Sequence, residues 1–221
     1  MQLGQNRLFW SSNQINREMF TEYEIESMLE YPEVTEAASA LKKEFLKEEA
    51  PYLEISDEDF FSLVVMAPTI GIAMADGNIS FFEEMALNKK ARKLSKGGYF
   101  MKKDPVVYAM KYLIKNYYNW SDRFYEVLKI TIKTTIDLNN LNTKSFDDSK
   151  EVDYKEYKKA VLAAPYLLIR FISSFFLEND EDIINSDHKV GKTEYQRLII
   201  IGEKLELDKI PVFQMFCSTF K

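Results

Sequence analysis

Residues 56–83 read SDEDFFSLVVMAPTIGIAMADGNISFFE, and this stretch decides the fold. Ser56 is an N-cap residue followed by three acids, Asp57, Glu58 and Asp59. Each acid complements the positive end of a helix by about 0.3–1 kcal/mol. From Phe60 to Ala75 the chain is apolar almost all round, so the helix it predicts belongs in the core. Pro68 falls well inside, where it removes one backbone hydrogen bond and kinks the helix. Asp76, Gly77 and Asn78 then turn the chain, with Gly77 able to take a positive φ at little cost. Ser80 caps the next helix, and Glu83 completes a capping box.

A second stretch runs parallel to the first. Ser56 to Ala75 matches Asp153 to Ile172, with an acid three residues after each cap (Asp59, Glu156) and an Ala-Pro pair further on (Ala67-Pro68, Ala164-Pro165). The turns match as well: Asp76, Ile79 and Glu83 against Asp187, Val190 and Glu194. The buried helices align at an offset of 97 and the turns at 111, so the second copy carries 14 extra residues, mostly Ser174 to Ser186. The pattern predicts an all-α helical bundle with an internal duplication. Its half-repeats cover about 56–118 and 153–220, within a domain spanning 56–221. Residues 1–55 read as an arm and helices packing on that body.

Composition narrows the function classes. A chain of 221 residues can bury most of its surface on folding. Its formal charge of −6 supplies no basic field for phosphates, which argues against nucleic acid. The single cysteine, Cys217, excludes an intramolecular disulfide framework and fits a reducing, cytoplasmic setting as a buried apolar residue. Met1 to Arg17 is too polar for a secretory signal. The apolar runs Phe60 to Ala75 and Ala160 to Leu177 read as buried helices and not as membrane spans, the first being too short and the second carrying Pro165 and Arg170.

Outside the paired segments the spacing predicts further helices: one over Glu22 to Leu29, one from Pro32 to about Lys47, and one starting at Asp104-Pro105 with Val107, Met110, Tyr112 and Ile114 at helix-compatible spacings. Another is capped by Ser121 and runs through Phe124, Leu128, Ile132 and Ile136. Met85, Leu87, Ala91 and Leu94 form the apolar positions after Ser80, ending at Gly97-Gly98, and Lys89-Lys90 reads as a solvated face. Glu194 to Leu207 turns Leu198, Ile201 and Leu205 inward, and a short helix over Pro211 to Phe220 closes the chain. Phe9, Trp10 and Phe20 are available to dock on the body. No strand pattern is present.

The acidic turns admit two readings. A divalent cation (calcium, magnesium, manganese or zinc) wants oxygen ligands, and Asp76, Glu83, Asp187 and Glu194 are the candidate metal ligands. One turn supplies two carboxylates where calcium takes six to eight oxygens, so a site requires the turns to converge, or help from backbone, water, Glu84 or Asp182. An EF-hand is excluded because Ile72 and Met74, or Ile183 and Asn185, stand where its first ligands belong. The other reading is purely structural: Glu83 and Glu194 close capping boxes, and Asp76 and Asp187 serve turns. His188, the only histidine, replaces glycine in the second turn and excludes any site needing two histidines. No nucleotide-binding glycine motif or nucleophile elbow is present, and no catalytic residue is assigned.

The run from Ile72 to Ser80 followed by Glu83 resembles the signature of TerB-like (tellurite-resistance protein B-like) domains. Asp187, Val190, Glu194, Ile201, Gly202 and Leu205 resemble the degenerate partner half. The resemblance implies an all-helical pseudo-two-fold fold, a cytoplasmic stress or tellurite-type response, acidic residues holding a metal ion, and no established catalysis. Two functions follow as expectations: a metal-responsive binding module with an unknown protein partner, and a metal-free protein-interaction scaffold.

Overall fold

Helix α3 (Asp57–Ala73) is the axis of the molecule. In the computed structural model, which describes residues 22–96, 104–136, 168, 171–172, 174–177 and 191–218, every α3 residue from Asp59 to Ala73 is buried. The Ser56 Oγ accepts the Asp59 N–H at 3.0 Å, so the helix begins where its N-cap residue dictates. An apolar helix of this kind is stable only when covered on all sides. The cover comes from α1 (Glu22–Leu29), α2 (Pro32–Glu49), α4 (Phe81–Leu94), α5 (Pro105–Lys115), α6 (Tyr117–Thr135) and α7 (Lys192–Lys204), each packed on α3. α8 (Pro211–Ser218) packs on α7. The described residues are all-helical, with no strand among them.

One hydrophobic core runs from Ile25 to Cys217, so the helices before residue 56 share the interior of the rest. Phe45, Phe60, Trp120 and Phe124 meet with ring centroids 5.1–5.9 Å apart, joining α2, α3 and α6. The Glu49 carboxylate at the end of α2 accepts from Trp120 Nε1 at 2.7 Å and from the Asn116 side chain, which fixes the α5–α6 junction.

Several expectations change. α6 begins at Tyr117, with Asn116 as its N-cap, not at Ser121. Ser121 is buried inside the helix, because Tyr117 and Trp120 extend the inward face one turn earlier. In α5 the buried positions are Pro105, Val106, Val107, Ala109, Met110 and Leu113, while Tyr112 is exposed. Met85 is also exposed, and Lys90, read as solvated, is only 6% exposed. Gly77 does take φ +94°. The second copy, Asp153 to Ile172, lies mostly outside the described residues, as do the arm before residue 22, the Gly97-Gly98 stop and the acidic insertion after Leu177. Few matched positions are described in both copies, and they do not all agree: Met74 and Ala75 are half-buried where Phe171 and Ile172 are buried. Leu94 and Leu205 are buried, and so are Ala91 and Gly202. A Cβ on Gly202 would overlap the Phe213 ring of α8, which is why the residue there is glycine.

Candidate functional site

The first acidic turn is built from the backbone outward. Asp76 Oδ1 accepts the Asn78 N–H at 3.1 Å, closing an Asx-type turn that hands the chain to Ser80. Ser80 Oγ accepts the Glu83 N–H at 3.3 Å, and Glu83 Oε2 accepts the Ser80 N–H at 2.7 Å, a complete capping box. The second turn repeats half of it. Glu194 Oε2 accepts the Gly191 N–H at 2.7 Å, while Gly191 has no side chain to return the bond. Three of the four candidate ligands therefore spend a carboxylate oxygen on their own turn or helix start. The fourth, Asp187, lies outside the described residues, as does His188. Among the described residues no group of three or more Asp, Glu, His or Cys side chains is arranged to hold a metal ion.

Next to the first capping box, α4 presents an unusual surface. Phe81, Phe82 and Met85 are 70%, 80% and 55% exposed, and the two rings form an edge-on pair with centroids 5.9 Å apart. The opposite face, with Leu87, Ala91 and Leu94, is buried. Isolated exposed apolar residues are ordinary, but three on one and a half turns form a contiguous patch.

Lys90 lies on the buried side. Its Nζ donates to Thr69 Oγ1 at 2.9 Å, to the Phe176 carbonyl at 3.0 Å and to the Ser174 carbonyl. The Thr69 hydroxyl donates to the Ser174 carbonyl at 2.9 Å. One ammonium group thus joins α3, α4 and the 174–177 turn, where buried carbonyls need donors. The position was readable in the sequence: Lys90 is three residues after Leu87 and four before Leu94, on their face.

Two further polar clusters sit in the core. Asp59 is 1% exposed and accepts the Lys96 N–H at 2.8 Å. Burial, with nearby Asp104 and Glu58, pushes its carboxyl above the usual range against the opposing hydrogen bonds. Asp104 caps α5 through the Val106 and Val107 N–H groups and accepts from Ser95 Oγ at 2.8 Å. Elsewhere Tyr117 and Tyr125 share a hydroxyl–hydroxyl bond beside α3, and Tyr117 Oη donates to the Ala67 carbonyl at 3.2 Å. Burial raises the Tyr117 phenol to about 12 and Tyr125 well above its ordinary value. Both clusters are satisfied within the fold and serve packing. Among the described residues, packing leaves unexplained the patch on α4 and, on the same helix, a buried Asn88 Oδ1 with no hydrogen-bond partner.

No protein-family model matches the chain, and comparison with curated proteins and with solved structures finds no match.

Proposed function

We propose that this chain is a non-enzymatic protein-interaction module whose acidic turns cap helices and whose contact surface begins at the first turn of α4. The observation that carries the reading is the exposure of Phe81, Phe82 and Met85 on a helix whose start is fixed by Ser80 and Glu83. A capping box removes fraying from that turn, so the two rings are held ready for a partner instead of being ordered on binding. Large apolar and aromatic side chains on a rigid element are what binding hot spots are made of.

The turn bond of Asp76 and the capping bonds of Glu83 and Glu194 support the scaffold reading over the ion reading of the same acids. Within this proposal the TerB-like resemblance supplies the setting, a stress or tellurite-type response. The test pairs two measurements. Proteins co-purifying with the full chain from its native cells are quantified for wild type and for Phe81→Ser/Phe82→Ser; partners retained by the first and lost by the second support the module. Titration with calcium, magnesium, manganese and zinc by calorimetry supports it if no saturable heat appears. Saturable heat that disappears in Asp76→Ala with the fold intact would instead establish the metal-responsive reading.

A further inference from the structure

Resting on the protein-binding reading above, we infer that the solvent face of α4 takes an acidic peptide segment bearing apolar anchors. At 100° per residue, Phe81, Phe82, Met85, Lys89, Arg92 and Lys93 fall within one sector of about 120°, opposite the buried positions. All six are exposed. The chemistry changes along the axis: apolar over the first turn and a half, basic over the last two turns.

Lys89 and Arg92 have no carboxylate within salt-bridge distance among the described residues, in contrast to neighbouring cations. Lys111 reaches Glu84 at 3.5 Å, and Lys96 reaches Glu26 at 2.8 Å. Lys93 has a partner and is left out of the count. Basic residues near a helix C-terminus complement its dipole, which accounts for Arg92 and Lys93 but not for Lys89, a turn earlier, nor for the apolar patch in line with it.

The whole chain carries a formal charge of −6, so an anionic membrane or a nucleic acid is repelled by the molecule even where this strip attracts it. A short acidic segment feels mainly the local strip, because charges more than about 8–10 Å away are screened. Phe82 to Lys89 and Met85 to Arg92 each span seven residues, about 10 Å along the axis. The matching partner places its acids about three residues from its apolar anchors if extended, or about seven if helical. The anchors cover the Phe81–Phe82 pair while the acids meet Lys89 and Arg92.

The test uses a phage-displayed random dodecapeptide library panned on the full chain, with enriched peptides synthesised and measured by fluorescence anisotropy. The expected peptides combine aromatic or aliphatic residues with Asp or Glu. Their affinity falls about tenfold or more in Lys89→Glu/Arg92→Glu and weakens with salt, and it falls about thirtyfold or more in Phe81→Ser/Phe82→Ser. All four positions are exposed, and unchanged thermal unfolding confirms that the variants fold. Peptides that need the two phenylalanines but ignore the charge reversal overturn the acidic partner while leaving the interaction module standing. Peptides indifferent to both pairs, or no enrichment, overturn both. Sedimentation of the chain with anionic phospholipid vesicles, dependent on both pairs, overturns the inference in favour of a membrane surface. A dimer abolished by the same substitutions overturns it in favour of a second copy.

Discussion

Gly71→Ala tests the packing around the central helix. A Cβ at this position would overlap Tyr117 Oη and lie 2.8 Å from Tyr125 Oη and 3.2 Å from Ile201 Cδ1. In an open helix the substitution would stabilise by about 1 kcal/mol through helix propensity. Here it must displace a shared hydroxyl pair. Overpacking costs about 1–3 kcal/mol, and a buried hydroxyl or carbonyl left without its partner costs about 1–3 kcal/mol more. The clash wins, and the net loss expected is about 2–3 kcal/mol, or about 5–10 °C in Tm for a chain of this size. Urea unfolding followed by circular dichroism measures it.

Tyr117→Phe removes the oxygen that the new methyl meets first. Alone it destabilises, because the Ala67 carbonyl and Tyr125 lose a partner. In the Gly71→Ala background it should cost far less, giving a coupling of about 1–3 kcal/mol in the double-mutant cycle. A Gly71→Ala variant as stable as the parent, or a cycle additive to within about 0.5 kcal/mol, would refute the reasoning.

Three other outcomes are expected. Lys90→Met keeps the apolar stem but deletes the donors to Thr69, Ser174 and Phe176, and should lose about 1–3 kcal/mol in the same urea assay. Asp59 has a folded pKa raised above its unfolded value of about 3.9, so its contribution favours the fold below that pH and is lost as pH rises through the folded value. Asp59→Asn, whose amide oxygen can still accept the Lys96 N–H, should therefore be at least as stable at pH 7 and show a flatter stability profile on the acid side. Tyr117 is raised to about 12, so its contribution is intact below about pH 10 and is lost as pH climbs through 12. Ultraviolet titration of phenolate should show late-ionising tyrosines, with one fewer in Tyr117→Phe.

Much of the frame was legible because it rests on local rules. Ser56 as N-cap, the positive φ of Gly77 and the Ser80–Glu83 box each follow from a few neighbouring residues, and each is found in the structure; the apolar run read to Ala75 is helical as far as Ala73. The misreadings share a different cause. Met85 is hydrophobic and sits near the apolar positions of α4, but a helix face is defined by angle, and 85 points with Phe81 away from the Leu87–Leu94 side. Lys90 reads as solvated by residue type, yet its position makes it an interior donor whose acceptors lie 84 and 86 residues away, which no local pattern reveals. Ser121 looks like a cap, yet the N-cap of α6 is Asn116, five residues earlier, because tertiary burial of Tyr117 and Trp120 overrides that preference. For the acidic turns, sequence and geometry agree on capping for Glu83, and the capping bond of Glu194 follows from the same spacing.

The bond from Thr69 to the Ser174 carbonyl spans 105 residues and has a consequence for synthesis. At about 5–20 residues per second, a ribosome delivers Ser174 about 5–20 s after Thr69. α3 emerges greasy on every side, and among the described residues its later neighbours, the 174–177 turn and α7, are made about 100 residues or more after it. Until then the nascent chain carries an uncovered apolar flank. Slow codons placed before residue 174 should raise the insoluble fraction more than the same codons placed after α7.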